Sequence, residues 1–306
     1  MSLISVVGSL NVDVSYRVRM MPVPGETVLA VDRARSFGGK GGNQAVAAAA
    51  LGAEVQFVGA VGQDEQGLSY LQHLSGLDVD VAGVAQLEGS DTGTAMILVD
   101  DSGENLIVVE PGANALLDGL WVRHVLSGTS AKVVLAQLEV PVAALEAAAA
   151  VIAGDAVLVL NPAPMPPDGR VLENLLRRVD VLVPNRKELG QLAGEEEPRT
   201  LAQVRECLDS LAFEGSVVVT LGSDGAMVRE PGSDPEHLPA LRVEPVDTTG
   251  AGDAFCGALA FGIARGRTLR ESVESAIEVA GRSTLHRGAQ PDPAAHPPGS
   301  ADARSL

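Results

Sequence analysis

Apolar residues recur along this chain in two spacings, and the alternation between them outlines the elements. Ile4 to Val7 form a short β-branched run closed by Gly8, which reads as a buried first strand. Val14, Tyr16 and Val18, and then the run from Val28 to Ala34, flank Pro22, Pro24 and Gly25. This predicts a strand, a turn and a second strand across 12–35. An Ala-rich helix is expected over 43–51, directly after a glycine cluster, then a strand over 54–61 and a helix over 65–77. Residues 92–99 and 105–109 make another apolar pair, joined by Asp100-Asp101-Ser102-Gly103, which is hairpin turn chemistry.

Beyond that point the pattern becomes regular. Strands over 132–136, 156–160, 179–183 and 216–220 alternate with helices over 142–153, 171–178, 187–193 and 201–212. Alternation at this spacing predicts βαβ units around a parallel sheet. After Val246 come a glycine-rich turn, a helix over 251–264 and a last helix over 269–285. Pro291, Pro293, Pro297 and Pro298 mark a loose tail, and no internal repeat is visible. The expected fold class is α/β: a three-layer parallel-sheet body over 1–11, 36–90 and 111–293, a small β-sheet lid from the insertions 12–35 and 91–110, and a tail over 294–306. Neither insertion can bury both its faces alone. Paired, they would lie over the C-terminal edge of the parallel strands, where open α/β sheets hold ligands.

Composition narrows the function classes. The 306 residues carry 22 Lys and Arg against 40 Asp and Glu, a formal charge of −18. That balance argues against nucleic-acid binding and against anionic membrane surfaces, since both rest on clustered Lys and Arg. With only 3% aromatic residues, the core has to be built from Ala, Val and Leu. Cys207 and Cys256 share no Cys-x-x-Cys spacing and read as two reduced thiols. The histidines show no pair at metal-ligand spacing, no apolar run is long enough for a transmembrane helix, and the first residues do not resemble a signal peptide. The expected location is the cytoplasm. A phosphorylated ligand would have to be held by something other than bulk positive charge.

Two glycine-rich junctions carry the candidate chemistry. The first is Phe37-Gly38-Gly39-Lys40-Gly41-Gly42-Asn43-Gln44 at the mouth of the Ala-rich helix. It matches neither a Walker A loop nor Gly-x-Gly-x-x-Gly. Either it is a tight turn, or its glycines let backbone amides approach a small polar ligand while Lys40 and Asn43 supply donors. The second is Val246-Asp247-Thr248-Thr249-Gly250-Ala251-Gly252-Asp253-Ala254-Phe255, a polar turn opening a long helix. Free N–H groups and the positive helix end converge there, which suits an anion such as phosphate. Asp253 in the first turn reads either as a capping acid or as a general base that deprotonates an alcohol during phosphoryl transfer.

As an ordered set these segments resemble the ribokinase-like (phosphofructokinase B) family of carbohydrate kinases. The resemblance runs from Ile4 to Pro291. Gly38-Gly39-Lys40-Gly41-Gly42-Asn43-Gln44 and Asp247-Thr248-Thr249-Gly250-Ala251-Gly252-Asp253 match its two signatures. Further matches are Gly8-Ser9-Leu10-Asn11-Val12-Asp13, Pro24-Gly25-Glu26-Thr27, Pro111-Gly112-Ala113-Asn114, Gln137-Leu138-Glu139, Asn161-Pro162-Ala163-Pro164, Pro184-Asn185-x-x-Glu188 and Gly288-Ala289-Gln290-Pro291.

The resemblance implies a Rossmann-like body with a β-sheet lid that also forms a dimer clasp, and ATP-dependent phosphorylation of a sugar hydroxyl. It implies sugar contacts at Asn11, Asp13, Gly39, Lys40, Asn43, Glu139 and Asp253, a set that favours O5 of D-ribose. Asp253 matches the general base, and the amides of Gly250, Ala251 and Gly252 match an anion hole for the transferred phosphoryl group. Asn185 and Glu188 match positions beside the phosphates and Mg2+, Glu188 through water. Thr220, Gly222, Ser223 and Gly225 match the nucleotide-binding turn, with Gly252 adjoining. A K+ site is implied at Asp247, Thr249, Ser283, His286, Gly288 and Asp292. Asp292 stands where the family pattern has Ser, and Ile277 where some members have His.

Other acceptors for the same chemistry stay open at this point: 2-deoxyribose, another pentose or ketose, or a nucleoside. A sugar-phosphate acceptor would call for more Arg or Lys near the sugar than Lys40 alone. A non-catalytic sugar-binding regulator would be expected to have lost the base or the anion-hole glycines, yet Gly250, Gly252 and Asp253 are intact. The acidic run Glu195-Glu196-Glu197 reads as a solvated loop.

Overall fold

The computed structural model of the protein describes residues 3–152 and 154–290. Its first half runs β1 (Leu3–Val7), β2 (Asn11–Arg17), β3 (Asp32–Gly38), α1 (Lys40–Ala50), β4 (Glu54–Gly62), α2 (Glu65–Gly76), β5 (Val79–Leu87), β6 (Gly93–Val99), β7 (Asn105–Glu110) and α3 (Gly119–Leu126). The second half runs β8 (Val133–Gln137), α4 (Val142–Val151), β9 (Val157–Asn161), α5 (Glu173–Leu176), β10 (Val181–Leu182), α6 (Arg186–Ala193), α7 (Leu201–Ser210), β11 (Ser216–Thr220), β12 (Ala226–Arg229), β13 (Glu236–Leu238), α8 (Ala251–Ala264) and α9 (Leu269–Ser283). Asp292 and the tail over 294–306 lie outside the described residues.

A nine-stranded sheet in the order β13-β12-β11-β10-β9-β8-β1-β4-β5 forms the body. It is parallel from β11 to β5, with β12 and β13 added antiparallel at one edge. Its central strands are apolar on both faces, as a sheet covered on both sides requires. Alternate residues go to opposite layers. Ile4, Val6, Val133 and Leu135 pack on α1, α2, α8 and α9. Val7, Val134, Ala136 and Leu158 pack on α3, α4 and α5. A third cluster joins Leu189, Val204 and Leu208 to Val217, Val219 and Met227 beneath α6 and α7. The result is a helix–sheet–helix sandwich, the fold class the periodicity predicts.

A separate four-stranded sheet has the order β3-β2-β6-β7. Its innermost rung, where Asn11 pairs with both Gly38 and Gly93, adjoins the body. The apolar residues 28–31, expected to open a strand, lie outside the ladder: the Val31 N–H reaches the Arg17 carbonyl at 2.7 Å, but Leu29 is 87% exposed and the ladder starts at Asp32. The partner of β2 is the more polar stretch Asp32–Gly38, because the cross-strand register, not burial, sets pairing in a sheet open to solvent.

Other elements also differ from the periodicity. The helix expected over 171–178 is a 3₁₀ turn, Gly169–Leu172, followed by the single turn of α5. β5, α3 and the β12–β13 hairpin gave no clear pattern, being a mixed edge strand, a short helix and short antiparallel additions. The Ala-rich helix begins at Lys40 rather than at residue 43, so Gly41 and Gly42 lie inside its first turn. A Cβ on Gly41 would sit 2.6 Å from the Ser9 nitrogen, and one on Gly42 would sit 2.1 Å from Tyr70 Oη. These two glycines therefore let α1 pack against the β1–β2 loop, and are not an opening for a ligand.

Candidate active site

The parallel strands deliver polar residues at their C-terminal ends. β1 runs into Ser9 and Asn11, β8 ends at Gln137 with Glu139 just beyond, β9 ends at Asn161, β10 leads to Asn185 and β11 ends at Thr220. The N-termini of α1 and α8 point to the same place. This is where open α/β sheets hold ligands.

Asp253 sits at the centre, buried in the first turn of α8. Each of its oxygens accepts from an amide. Asn43 Nδ2 donates to Oδ2 at 2.9 Å, and Gln44 Nε2 donates to Oδ1 at 3.0 Å. The Gln44 nitrogen also reaches Asn161 Oδ1 at 3.3 Å, and its Oε1 accepts from Gln137 Nε2 at 2.6 Å. Asn161 is oriented in turn by donating to the Val183 carbonyl at 2.9 Å. Burial pushes the Asp253 carboxyl above its usual range, while Lys40 and the two amides favour its charged form. Burial alone would lower Lys40, but Asp253, Glu139 and Glu188 outweigh it and hold the ammonium above its usual range. A carboxyl held above its usual range by burial yet fixed as an acceptor has the properties of a general base.

Asn11, Asp13, Gly39 and Glu139 lie on the side toward the small sheet. Asn11 is buried, and its Oδ1 accepts from Asn114 Nδ2 at 2.8 Å, so the Asn11 amide nitrogen is free to donate into the cleft. Asn114 is itself locked by both polar groups of the Leu10 backbone. Glu139 Oε2 accepts from Ser9 Oγ at 2.5 Å and from the Lys40 N–H at 2.9 Å, which pins the start of α1. Burial, then the charge of Glu139, pushes Asp13 up to about 7. Asn43 spends its oxygen on Gln290 Nε2 at 2.8 Å and one hydrogen on Asp253, leaving a single donor. The cleft thus pairs amide donors with carboxylate acceptors, the combination that reads vicinal hydroxyls.

On the other side of Asp253 lies a cavity of about 160 Å³, lined by Lys40, Asn161, Asn185, Glu188, Thr220 and Gly252 among others. The helix N-cap Gly250 has φ 75° and no side chain to cap the first-turn amides of α8. A Cβ built on Gly252 meets nothing within 4 Å. The Ala251 N–H is spent on the Thr248 carbonyl at 3.2 Å, but the Gly252 and Asp253 amides, a lysine and unfilled space at a helix N-terminus suit an anion. Glu188 is buried and forms a capping box with Asn185. Its Oε2 accepts the Asn185 N–H at 2.9 Å and its Oε1 accepts Asn185 Nδ2 at 2.8 Å. Gly222 and Ser223 lie on the exposed turn after β11, and Gly225 closes that turn at φ 93°; these three do not line the cavity.

Asp247 stands on the loop before α8. Its Oδ1 accepts from the Thr249 N–H at 2.9 Å and from Thr249 Oγ1 at 2.7 Å, and its Oδ2 accepts from the Gly288 N–H at 2.9 Å. The Ser283 carbonyl accepts from the His286 N–H at 3.3 Å, and Ser283 Oγ donates to Ala280 O at 2.9 Å. The two loops are thereby tied side by side. A larger cavity, about 580 Å³, lies between β3, α2 and the 287–290 segment, with Gly288 and Gln290 in its lining.

Gln44, Gln137, Asn114, Ser9 and Gln290 received no role from sequence reasoning. A usable signal existed for two of them. Gln44 interrupts an apolar helix face and Gln137 ends an apolar strand, and a buried amide demands partners.

The protein has clear relatives. It is 36% identical to a ribokinase of Schizosaccharomyces pombe, over 94% of this chain and 93% of that one. A Thermotoga maritima ribokinase structure is 31% identical with a TM-score of 0.83, covering 95% of both chains. An Arabidopsis thaliana ribokinase complexed with ribose and ATP is 29% identical with a TM-score of 0.82, over 95% of this chain and 96% of that one. The family model for pfkB carbohydrate kinases matches residues 1–295. A buried carboxylate between a cleft of amide donors and carboxylate acceptors and a helix end suited to an anion is what such a kinase requires, and the chain belongs to the pfkB family of carbohydrate kinases.

Proposed function

We propose that the protein transfers the γ-phosphoryl group of ATP to O5 of D-ribose. The observation that carries this reading is the position of Asp253, clamped by Asn43 and Gln44 between the hydroxyl-reading cleft and the cavity at the start of α8. The ribokinases to which the chain is similar support the choice of sugar.

Asn11, Asp13, Gly39, Asn43 and Glu139 hold the sugar, with its O5 hydroxyl against Asp253. Asp253 takes the hydroxyl proton as O5 bonds to the γ-phosphorus. The bond from that phosphorus to the bridging oxygen breaks, and its electron pair leaves with ADP. The amides of Gly250, Gly252 and Asp253 stabilise charge on the transferred group, as does Lys40. Asn185, Thr220, Gly222, Ser223 and Gly225 serve the nucleotide.

Both cation assignments fit the donor sets. Among the described residues no group of three or more His, Cys, Asp or Glu could hold a metal by itself. Mg2+ would therefore be held by phosphates and water with Glu188, the usual arrangement for this ion. When bound it neutralises phosphate charge. K+ suits Asp247, Thr249, Ser283, His286 and Gly288, a carboxylate among carbonyl and hydroxyl oxygens; its hydrogen bonds hold the Asp247 carboxyl below its usual range despite partial burial, so it stays charged.

The four-stranded sheet serves as a lid over the cleft. On β7, Leu106, Ile107, Val108 and Val109 are exposed on both faces of an edge strand, which supports a homodimer through the lid. Both cysteines are free and buried, in keeping with a cytoplasmic setting, and no helix among the described residues is long and apolar enough to cross a membrane.

An assay of ADP release over a panel of ribose, 2-deoxyribose, other pentoses, ketoses and nucleosides, with and without K+, tests the reading. D-Ribose is expected to give the highest kcat/KM, raised by K+. ADP release independent of any sugar, or a preference for another acceptor, overturns it.

A further inference from the structure

We infer that Gln290 is a positioning residue for phosphoryl transfer: it sets which way round the Asn43 amide sits, and through Asn43 it aims one oxygen of Asp253. The inference rests on Asp253 being the general base.

The argument counts donors and acceptors. An ionised carboxylate only accepts. The Asn43 atom 2.9 Å from Asp253 Oδ2 must therefore be the nitrogen. Asn43 Oδ1 then needs a donor, and Gln290 Nε2 stands 2.8 Å away. The second hydrogen of that nitrogen goes to Tyr70 Oη at 3.0 Å, and Tyr70 gives its own hydrogen to Gly38 O at 2.5 Å. Gln290 Oε1 is left facing His73 Nε2 at 2.8 Å, which fixes that ring nitrogen as the protonated one.

Each link therefore has one sense only. Turning Gln290 over would set its oxygen against Asn43 Oδ1, and turning Asn43 over would set its oxygen against the Asp253 carboxylate. The frame around Gln290 is firm as well. The His73 ring stacks on Phe37 with centroids 4.5 Å apart, and the Gly288 N–H is held by Asp247. The other oxygen of Asp253 is served by a chain wholly inside the body, Gln137 to Gln44. Gln290 thus gives the C-terminal segment control of one of the two bonds that orient the base.

Two variants separate polarity from packing. Gln290→Glu keeps the shape and replaces the donor by an oxygen, while Gln290→Met keeps the bulk and removes both polar groups. Gln290→Glu is expected to lower kcat about 10- to 100-fold, the effect of a small misplacement of a reacting group. Gln290→Met loses the same donor without presenting an oxygen, so it should lower kcat less, about 3- to 10-fold, and KM for ATP should stay within about twofold in both. In an Asp253→Asn background there is no carboxylate to aim, so Gln290→Glu should cost less than about threefold more. The inference is overturned if either Gln290→Glu or Gln290→Met turns over like the parent protein, or if the full Gln290→Glu loss persists beside Asp253→Asn. Near-parental turnover of Asp253→Asn alone would instead remove the base assignment, so the two failures are told apart.

Discussion

Gly252 offers a test in which stability and activity should move in opposite directions. It is the second residue of α8, exposed, and it lacks the positive φ that makes Gly250 a glycine position. A Cβ there meets no protein atom within 4 Å. Nothing in the described residues therefore requires a glycine, and in a helix it costs roughly 0.5–1 kcal/mol relative to alanine. Gly252→Ala should stabilise the free protein by up to that amount, a rise in Tm of about 1–2 °C for a chain of this length. The same methyl group would project into the space beside Lys40 and Asp253 assigned to the transferred phosphoryl group. Turnover should fall by roughly 10²- to 10³-fold, the worth of one anion-hole donor. Sugar affinity, set on the other side of Asp253, should be unchanged. Thermal melting, ADP release and sugar calorimetry on one preparation supply all three readings. Turnover within about threefold of the parent protein, or a clearly lowered Tm, would refute the assignment of this space to the phosphoryl group.

Asp13, pushed up to about 7 by burial and Glu139, should make sugar binding depend on pH. Sugar hydroxyls donate to the ionised carboxylate, so binding drives its proton off. Sugar Kd should hold steady above about pH 8 and weaken by up to tenfold per unit below about pH 7. Asp13→Asn should bind less tightly with a flat profile, and a flat profile in the parent protein counts against the idea. Glu188→Gln keeps the shape of the capping box but removes the charge offered to Mg2+. The Mg2+ concentration for half-maximal rate should rise about 10- to 100-fold, and an unmoved titration curve would exclude Glu188 as a metal partner. Ile107→Lys, on exposed β7, should shift sedimentation from dimer to monomer and lower Tm only by the stabilisation that dimerisation supplied; a monomeric parent protein would dispose of the lid dimer.

The sequence made the body legible because buried parallel strands are apolar on both faces and stand out from their helices. The lid was harder. Residues 28–31 are apolar yet lie outside the ladder, while the strand beside β2 is mostly polar, since in an exposed sheet apolarity no longer reports pairing. At the site, the glycine-rich junctions and Asp253 stood out as residue types. The use of Gly41 and Gly42 did not, because whether a glycine makes room for a ligand or for Ser9 and Tyr70 depends on what stands opposite in space. The orientation of Asn11 by Asn114 and of Asp253 by Gln44 was equally hidden. It joins residues about a hundred or more positions apart, and an amide's polarity exists only within a network.

The small sheet meets the body at the rung that pairs Asn11 with Gly38 and Gly93, while its strands run outward as far as Arg17. On the proposed function it would act as a lever, with the residues assigned to the sugar at the fulcrum. Six residues of strand make an arm on the order of 20 Å, so a 10° swing displaces the tip by about 3 Å but Asp13 by only about 1 Å. Such a swing would change access to the cleft widely while leaving the groups assigned to the sugar nearly still, so the outer strands could vary in sequence or partner without disturbing sugar choice.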